Sequence, residues 1–335
     1  MDSLKIGFSV VNINPPLGIG MWGYYQPRFA KGFLDDLEVR TLVLRKNNQT
    51  IALISVDCCG IYENVRDRFA ELIEKETGVL KENVFLSATH THTGPLIEKS
   101  TAFIADMKLV KSFTLFLGER IADSVKLALN DLKPAKMGYI TGYAPERVAY
   151  IRRYKMKDGS TMTCPPIGDP NIDFPLGTLD QRVNLLRFDR QNAPSVLLVN
   201  YGLHADTTGG ELISADWPCW MRKTLKKSLD GAECIFFNGA EGDVGSTNVF
   251  PEGGDMNDTE ISFDNEMKSP GMARFIGRAI AGTILGVFDK AKYVDTCDIN
   301  MVQKTIKVPW YNVIDSSNSH LHYTLLLSIN LLNRG

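Results

Sequence analysis

Short apolar runs of strand length alternate along this chain with amphipathic segments of helix length, and that alternation limits it to an α/β architecture. "TLVLRKNNQTIALISVD" reads as a hairpin turning at Asn47-Asn48, its second strand ending at Asp57. Residues 62–77 carry a helical period, "NVFLSA" reads as a buried strand and "SFTLFLGERIADSVKLALNDL" as a long amphipathic helix. "KMGYITGYA", the strand "PSVLLVNYGLH", a helix near 217–229 and the strand "ECIFF" follow, and Ser269-Pro270 opens a last helix with proline in its first turn. Hairpins and helical crossovers together predict mixed β-sheets flanked by helices. No internal repeat or low-complexity linker interrupts the pattern, so a single large domain is expected. The Pro-, Gly- and Asp-rich "TCPPIGDPNIDFPLGTLD" is long enough to be a functional loop.

Polar residues collect where the strands end. "ISVD" stops at Asp57, "VFLSA" at Thr89-His90-Thr91-His92, "VLLVNYGL" at His204-Ala205-Asp206 and "CIFF" at "NGAEGDVGSTN". In α/β sheets ligands gather at the carboxyl ends of strands, so four such ends point to one site. His90 and His92 lie at i and i+2, which in an extended segment share a face, and imidazole is the commonest neutral metal ligand. Each cluster also has a plain reading: solvated histidines before a turn, Asp57 as a helix cap, His204 as a core histidine, the glycine-rich loop as a tight turn. The same loop could present backbone N–H groups to an oxyanion, whereas the absence of a P-loop lysine argues against nucleotide binding.

The 335 residues are 44% hydrophobic and 23% charged, with a formal net charge of -2 and no basic stripe, so no nucleic-acid partner is indicated. Six cysteines without CxxC spacing argue against a zinc ribbon or disulfide scaffold and read as reduced thiols of a cytoplasmic protein. No secretory signal opens the sequence, and no apolar stretch reaches the roughly 20 residues of a membrane helix.

"ATHTHTGP", "GLHADTTGGELISADWP" and "NGAEGDV", in this order and at these separations, resemble the neutral/alkaline non-lysosomal ceramidase family and its bacterial relatives. "VNINPPLGIGMWGY", "GFLDDLEVRTLVL" and "RRYKMKDGSTMTCPPIGDPNIDFPLGTLDQRVNLLRF" extend the likeness from about residue 5 to about residue 290. The resemblance implies zinc-dependent hydrolysis of a linear amide. His90 and His204 match zinc ligands, His92 a substrate-facing histidine, and Arg152 an arginine lining the site. Gly242-Asp243-Val244 matches a "GDVSPN" segment, but Gly245 stands where that segment has its serine, and Ser246 fits only with a one-residue insertion. The family's remaining ligands, a glutamate in a "PGE"-like turn and a tyrosine, lie beyond the matched segment.

The expectation is therefore an incomplete ceramidase-like catalytic domain over residues 1–295 with an atypical tail at 296–335, in which His320 and His322 repeat the HxH spacing. Zn2+ would be held by His90 and His204, while His92, Arg152, Asp243 and Ser246 would act on a lipid or other small N-acyl substrate. Asp57 and Asp243 would orient imidazoles from behind the metal. The oligomeric state is left open. An amidohydrolase barrel, which also has an HxH after a strand, needs more histidines than precede the tail. The rival from another class is a truncated paralogue that folds or binds without turnover, and metal content separates the two.

Overall fold

The computed structural model describes residues 3–98, 106–250, 268–295, 297–309 and 320–326. Nine strands form one mixed sheet: β1 (Lys5–Asn12), β2 (Glu38–Lys46), β3 (Gln49–Val56), β4 (Val84–Ala88), β5 (Lys133–Tyr143), β6 (Arg182–Arg190), β7 (Val196–Tyr201), β8 (Glu233–Asn238) and β9 (Lys292–Tyr293). Their spatial order is β8-β7-β6-β5-β1-β2-β3-β4, with β9 beside β5. The helices are α1 (Glu63–Thr77), α2 (Met107–Asn130), α3 (Asp216–Ser228) and α4 (Pro270–Val287). The expected α/β class, mixed sheet and single domain are all present.

The sheet consists of two halves joined narrowly. β1 meets β5 only through Lys5↔Pro134 and Ile6↔Lys133, whereas β1–β2 and β5–β6 are zipped along their lengths. Period-two alternation then decides the layers. On β2, Val39 and Val43 join the core under α1 and α2, while Leu42 and Leu44 face the opposite way. On β8, Cys234 and Phe236 pack under α3 and α4, while Ile235 and Phe237 meet Leu42, Leu44, Ile51 and Leu53. The halves are thus stacked face to face with helices outside. Cross-layer bonds hold them: Ser55 Oγ donates to the Phe236 carbonyl at 2.7 Å and Arg40 Nη1 to the Cys234 carbonyl at 3.0 Å.

Each half contains one parallel pair made by a helical crossover. β3 and β4 are parallel through α1, and β7 and β8 are parallel through α3. α1 buries Val65, Phe69 and Ile73, an i, i+4, i+8 stripe, and stops at Gly78, whose φ of 74° permits the left-handed cap. No side chain caps its N-terminus at Tyr62, so Asp57 is not the helix cap the sequence allowed. α4 starts as read, with the Ser269 hydroxyl accepting from the Met272 N–H and Pro270 in the first turn.

Among the described residues one segment, Pro270–Lys290, is long and apolar enough by length and composition to cross a membrane, which qualifies the expectation that none would be. Met272, Ala273, Ile276, Ile280, Ala281 and Ile284 of this segment are buried in the core under β5 to β8. After β9, Cys297 and Ile299 pack between the layers, and strands Val302–Pro309 and His320–Leu326 pair as a hairpin. The contacts of the His320 and His322 side chains lie outside the described residues.

Candidate metal centre

The carboxyl ends of β3, β4, β7 and β8 converge, and every strand-end cluster noted in the sequence meets there. In "THTHT" the threonines point inward: Thr89, Thr91 and Thr93 are at most 1% exposed. Their hydroxyls bond Asp57, the Ser214 carbonyl and Thr208, which fixes the segment and leaves the intervening histidines for the cleft. The two histidines reach a common face by a route other than extended backbone. His90 has a φ of 64°, a left-handed conformation that costs about 1–2 kcal/mol in a non-glycine residue and concentrates at functional sites. Gly23, at φ 118°, lies so close to His92 that a Cβ there would fall 2.7 Å from the His92 Cα, so glycine is required behind that ring.

His204 follows β7 on a loop pinned by Asp216, whose buried carboxylate accepts from the backbone N–H groups of Thr207 and Thr208, each at 2.9 Å. Trp217 Nε1 donates to the His204 carbonyl at 3.1 Å. The long "GLHADTTGGELISADWP" motif is therefore a brace for one histidine.

The ring centroids of His90 and His204 are 4.8 Å apart, those of His90 and His92 4.8 Å, and those of His92 and His204 5.4 Å. Backbone carbonyls fix the tautomers of two of them. His90 Nδ1 bonds the Cys59 carbonyl at 2.6 Å and His204 Nδ1 the Glu241 carbonyl at 2.7 Å, so each carries its proton on Nδ1 and offers its Nε2 lone pair to the cleft. Burial, aided by Arg152 and His90, lowers His204 to about 4. Burial also lowers His92 to about 3, with Asp206 opposing and the other imidazoles and Lys268 assisting. Both rings are neutral at physiological pH, the state a metal requires.

His92 supplies the test of fit. Its Nε2 is 3.2 Å from His90 Nε2, which is an acceptor, so His92 must place its proton there. Its Nδ1 is then bare, buried and without a hydrogen-bond partner, 3.5 Å from the Asp206 carboxylate. A cation on the His90 lone pair would release the His92 proton to Nδ1, where Asp206 can accept it. The donor set thus fits a metal. Cys59, His90 and His92 also form a group whose donor atoms lie within 4.8 Å of one another. The Cys59 thiol, however, sits 4.0 Å from the nitrogen of His90 that already bonds the Cys59 carbonyl, and burial pushes it up to about 12. The His90 Nε2 lies on the other edge of the ring, 3.2 Å from His92 Nε2, and the His204 ring stands 4.8 Å away between centroids.

Asp206 is itself held by Tyr24 and by Lys268 Nζ at 2.6 Å, and burial together with Asp206 raises the Tyr24 phenol. Beside His204 a cavity of about 140 Å³ is lined by Arg152, Tyr154, Asp206, Ser246 and Lys268. Arg152 and Ser246 therefore share this cavity with His204. Arg152 donates through Nε and Nη2 to the Gly242 carbonyl at 3.0 and 2.6 Å.

Three expectations change. In the glycine-rich loop the Val244 amide is not available to a ligand: Val244 N donates to the Glu241 carbonyl, and Val244–Gly245 pairs with Tyr150–Ile151 as a short ladder. The loop works through carbonyls, which hold His204 and Arg152. Asp57 orients no imidazole; its carboxylate, fully buried, takes Arg222 at 3.0 and 2.7 Å, Thr89 Oγ1 at 3.1 Å and Glu38 N at 3.0 Å. Asp243 meets Arg152 through its backbone carbonyl at 2.8 Å, while its carboxyl lies next to Gly177.

Sequence reasoning passed over Glu241, Asn238, Cys59, Tyr24 and Asp206, although all but Cys59 sit inside the quoted motifs. Glu241 is the most consequential. Burial pushes its carboxyl up to about 8, against the Asn238 bond and Arg152.

No protein-family model matches the sequence. The fold matches neutral ceramidase from Pseudomonas aeruginosa with a TM-score of 0.69 at 18% identity, over 92% of this chain and 48% of that one. It matches a ceramidase complexed with C2 with a TM-score of 0.67 at 18% identity, over 92% of this chain and 47% of that one. The chain thus spans about half the length of the ceramidases it matches. The resemblance read from the sequence motifs is borne out in the fold.

Proposed function

We propose that this chain is a zinc-dependent, ceramidase-like hydrolase of a linear amide, acting on a lipid or other small N-acyl substrate. The observation that supports this best is the pair of Nε2 lone pairs on His90 and His204, each freed by a backbone carbonyl on Nδ1 and brought together from opposite halves of the sheet. A zinc ion held there would supply a Lewis acid for the scissile carbonyl and lower the pKa of a water. His92, braced by Gly23 and facing Asp206, is the proton-carrying imidazole, and Asp206 positions it. Arg152, half committed to the Gly242 carbonyl, turns its remaining donor capacity to the developing oxyanion, with Ser246 alongside. Asp243 serves through its carbonyl as a support for Arg152.

The experiment is elemental analysis of zinc-loaded protein, paired with fatty-acid release from short N-acyl substrates. One zinc per chain and turnover in wild type, with both lost in His90→Ala and His204→Ala, is the expected result. Full zinc occupancy in His204→Ala would refute the assignment.

A further inference from the structure

Glu241 occupies an unusual position for an acidic residue. Its carbonyl accepts the Nδ1 proton of His204 at 2.7 Å, and the next carbonyl, Gly242, accepts Arg152. Its side chain turns to the other wall of the cleft: Oε1 accepts from Asn238 Nδ2 at 2.7 Å, and the same amide donates to the Thr89 carbonyl, immediately before His90, at 3.2 Å. One residue is thus tied to both histidine-bearing segments, and its neighbour Gly242 to Arg152. Its second oxygen, Oε2, is buried with no hydrogen-bond partner.

A buried polar atom left unsatisfied costs on the order of 1–3 kcal/mol, more when charged, and native proteins avoid it unless a water, ion or substrate completes the group. The Asn238 clamp removes the alternative that the carboxyl swings to another protein partner. Asp57, at the end of β3 in the other half, shows what a structural carboxylate looks like in this fold, with both oxygens bonded.

We propose that Glu241 is the general base of this site, its Oε2 receiving a proton from the water that attacks the scissile amide. The inference rests on the amide-hydrolase reading. As the water oxygen bonds to the carbonyl carbon, one O–H bond breaks and its proton passes to Oε2. When the C–N bond breaks, that proton passes to the departing nitrogen, which leaves as the amine, and the carboxylate is regenerated beside the carboxylic acid product.

The test uses the full chain loaded with zinc and compares wild type with Glu241→Gln, which keeps the Asn238 clamp and the shape of the side chain. Three quantities are read: bound zinc, turnover of a short N-acyl substrate and affinity for an acyl hydroxamate, whose acidic proton needs an acceptor. Unchanged zinc, kcat reduced by about 100-fold or more with KM little altered, and hydroxamate affinity reduced at least tenfold are expected. Added formate should restore part of the turnover of Glu241→Ala and none of that of His90→Ala. Equal turnover or equal hydroxamate affinity in wild type and Glu241→Gln would overturn the proposal. Loss of zinc in Glu241→Gln would overturn it in favour of a ligand role. A wild-type chain that takes up no zinc would instead sink the amide-hydrolase reading itself.

Discussion

The β3-α1-β4 unit of the first half and the β7-α3-β8 unit of the second have the same construction and put their carboxylates to different use. In the first, Asp57 is consumed by structure: it pairs with Arg222, a residue of α3, and so bolts one half to the other. In the second, Asp206 faces His92 and Glu241 keeps an unpartnered oxygen. Both halves contribute histidines, held by backbone carbonyls. The lesson is that a carboxylate at the end of a parallel strand is not by itself a functional group. What separates the two cases is whether the opposite half supplies a cation to saturate it.

This contrast has an energetic consequence that mutation can break. Asp57 is 0% exposed and the Arg222 side chain 3%, so removing the cation strands a buried charge at a cost of about 3–5 kcal/mol. Arg222→Met should therefore lower the urea midpoint steeply, and adding Asp57→Asn should recover a large part of the loss. Glu241→Gln, which keeps the Asn238 bond and strands no partner, should leave the midpoint unchanged or raise it. A midpoint for Arg222→Met within experimental error of wild type would erase the distinction between the two carboxylates.

A smaller effect separates the helix pairs. On α4, a Cβ at Gly277 would meet the Trp217 carbonyl oxygen at 2.5 Å and the Met221 nitrogen at 2.7 Å, backbone atoms of α3 that cannot step aside. On α2, a Cβ at Gly118 would meet side chains of α1 alone, the Phe69 ring at 2.9 and 3.0 Å and Leu72 Cδ2 at 3.7 Å. Gly277→Ala should cost about 1–3 kcal/mol from overpacking. Gly118→Ala should fall within about 1 kcal/mol of wild type, because the gain in helix propensity offsets a small shift of the ring. Thermal unfolding of the two variants side by side measures the difference.

Much of this was legible in the sequence, because local signals and the fold agree. The Asn47-Asn48 turn, the Ser269-Pro270 helix start and the strand-end polar clusters each follow from short-range chemistry, and the structure realises all three. What could not be read is what depends on the two halves meeting. The Asp57–Arg222 pair spans residues that neighbour each other only after the sheet folds on itself, so Asp57 resembled a cap or an imidazole partner. The glycine-rich loop looked like a cradle of amides, because glycines advertise backbone access without saying which backbone group is presented. Glu241 was hidden by the glycines around it, and only its unpartnered oxygen in the folded chain marks it.

The central claim is that the two halves meet in one metal centre built on the Nε2 atoms of His90 and His204. Anomalous diffraction at the zinc edge from zinc-soaked crystals tests it most directly. A single strong peak about 2.0–2.1 Å from both Nε2 atoms is expected, with His92 turned so that its Nδ1 donates to Asp206. A peak on Cys59 Sγ, or one bound by His90 without His204, would contradict it.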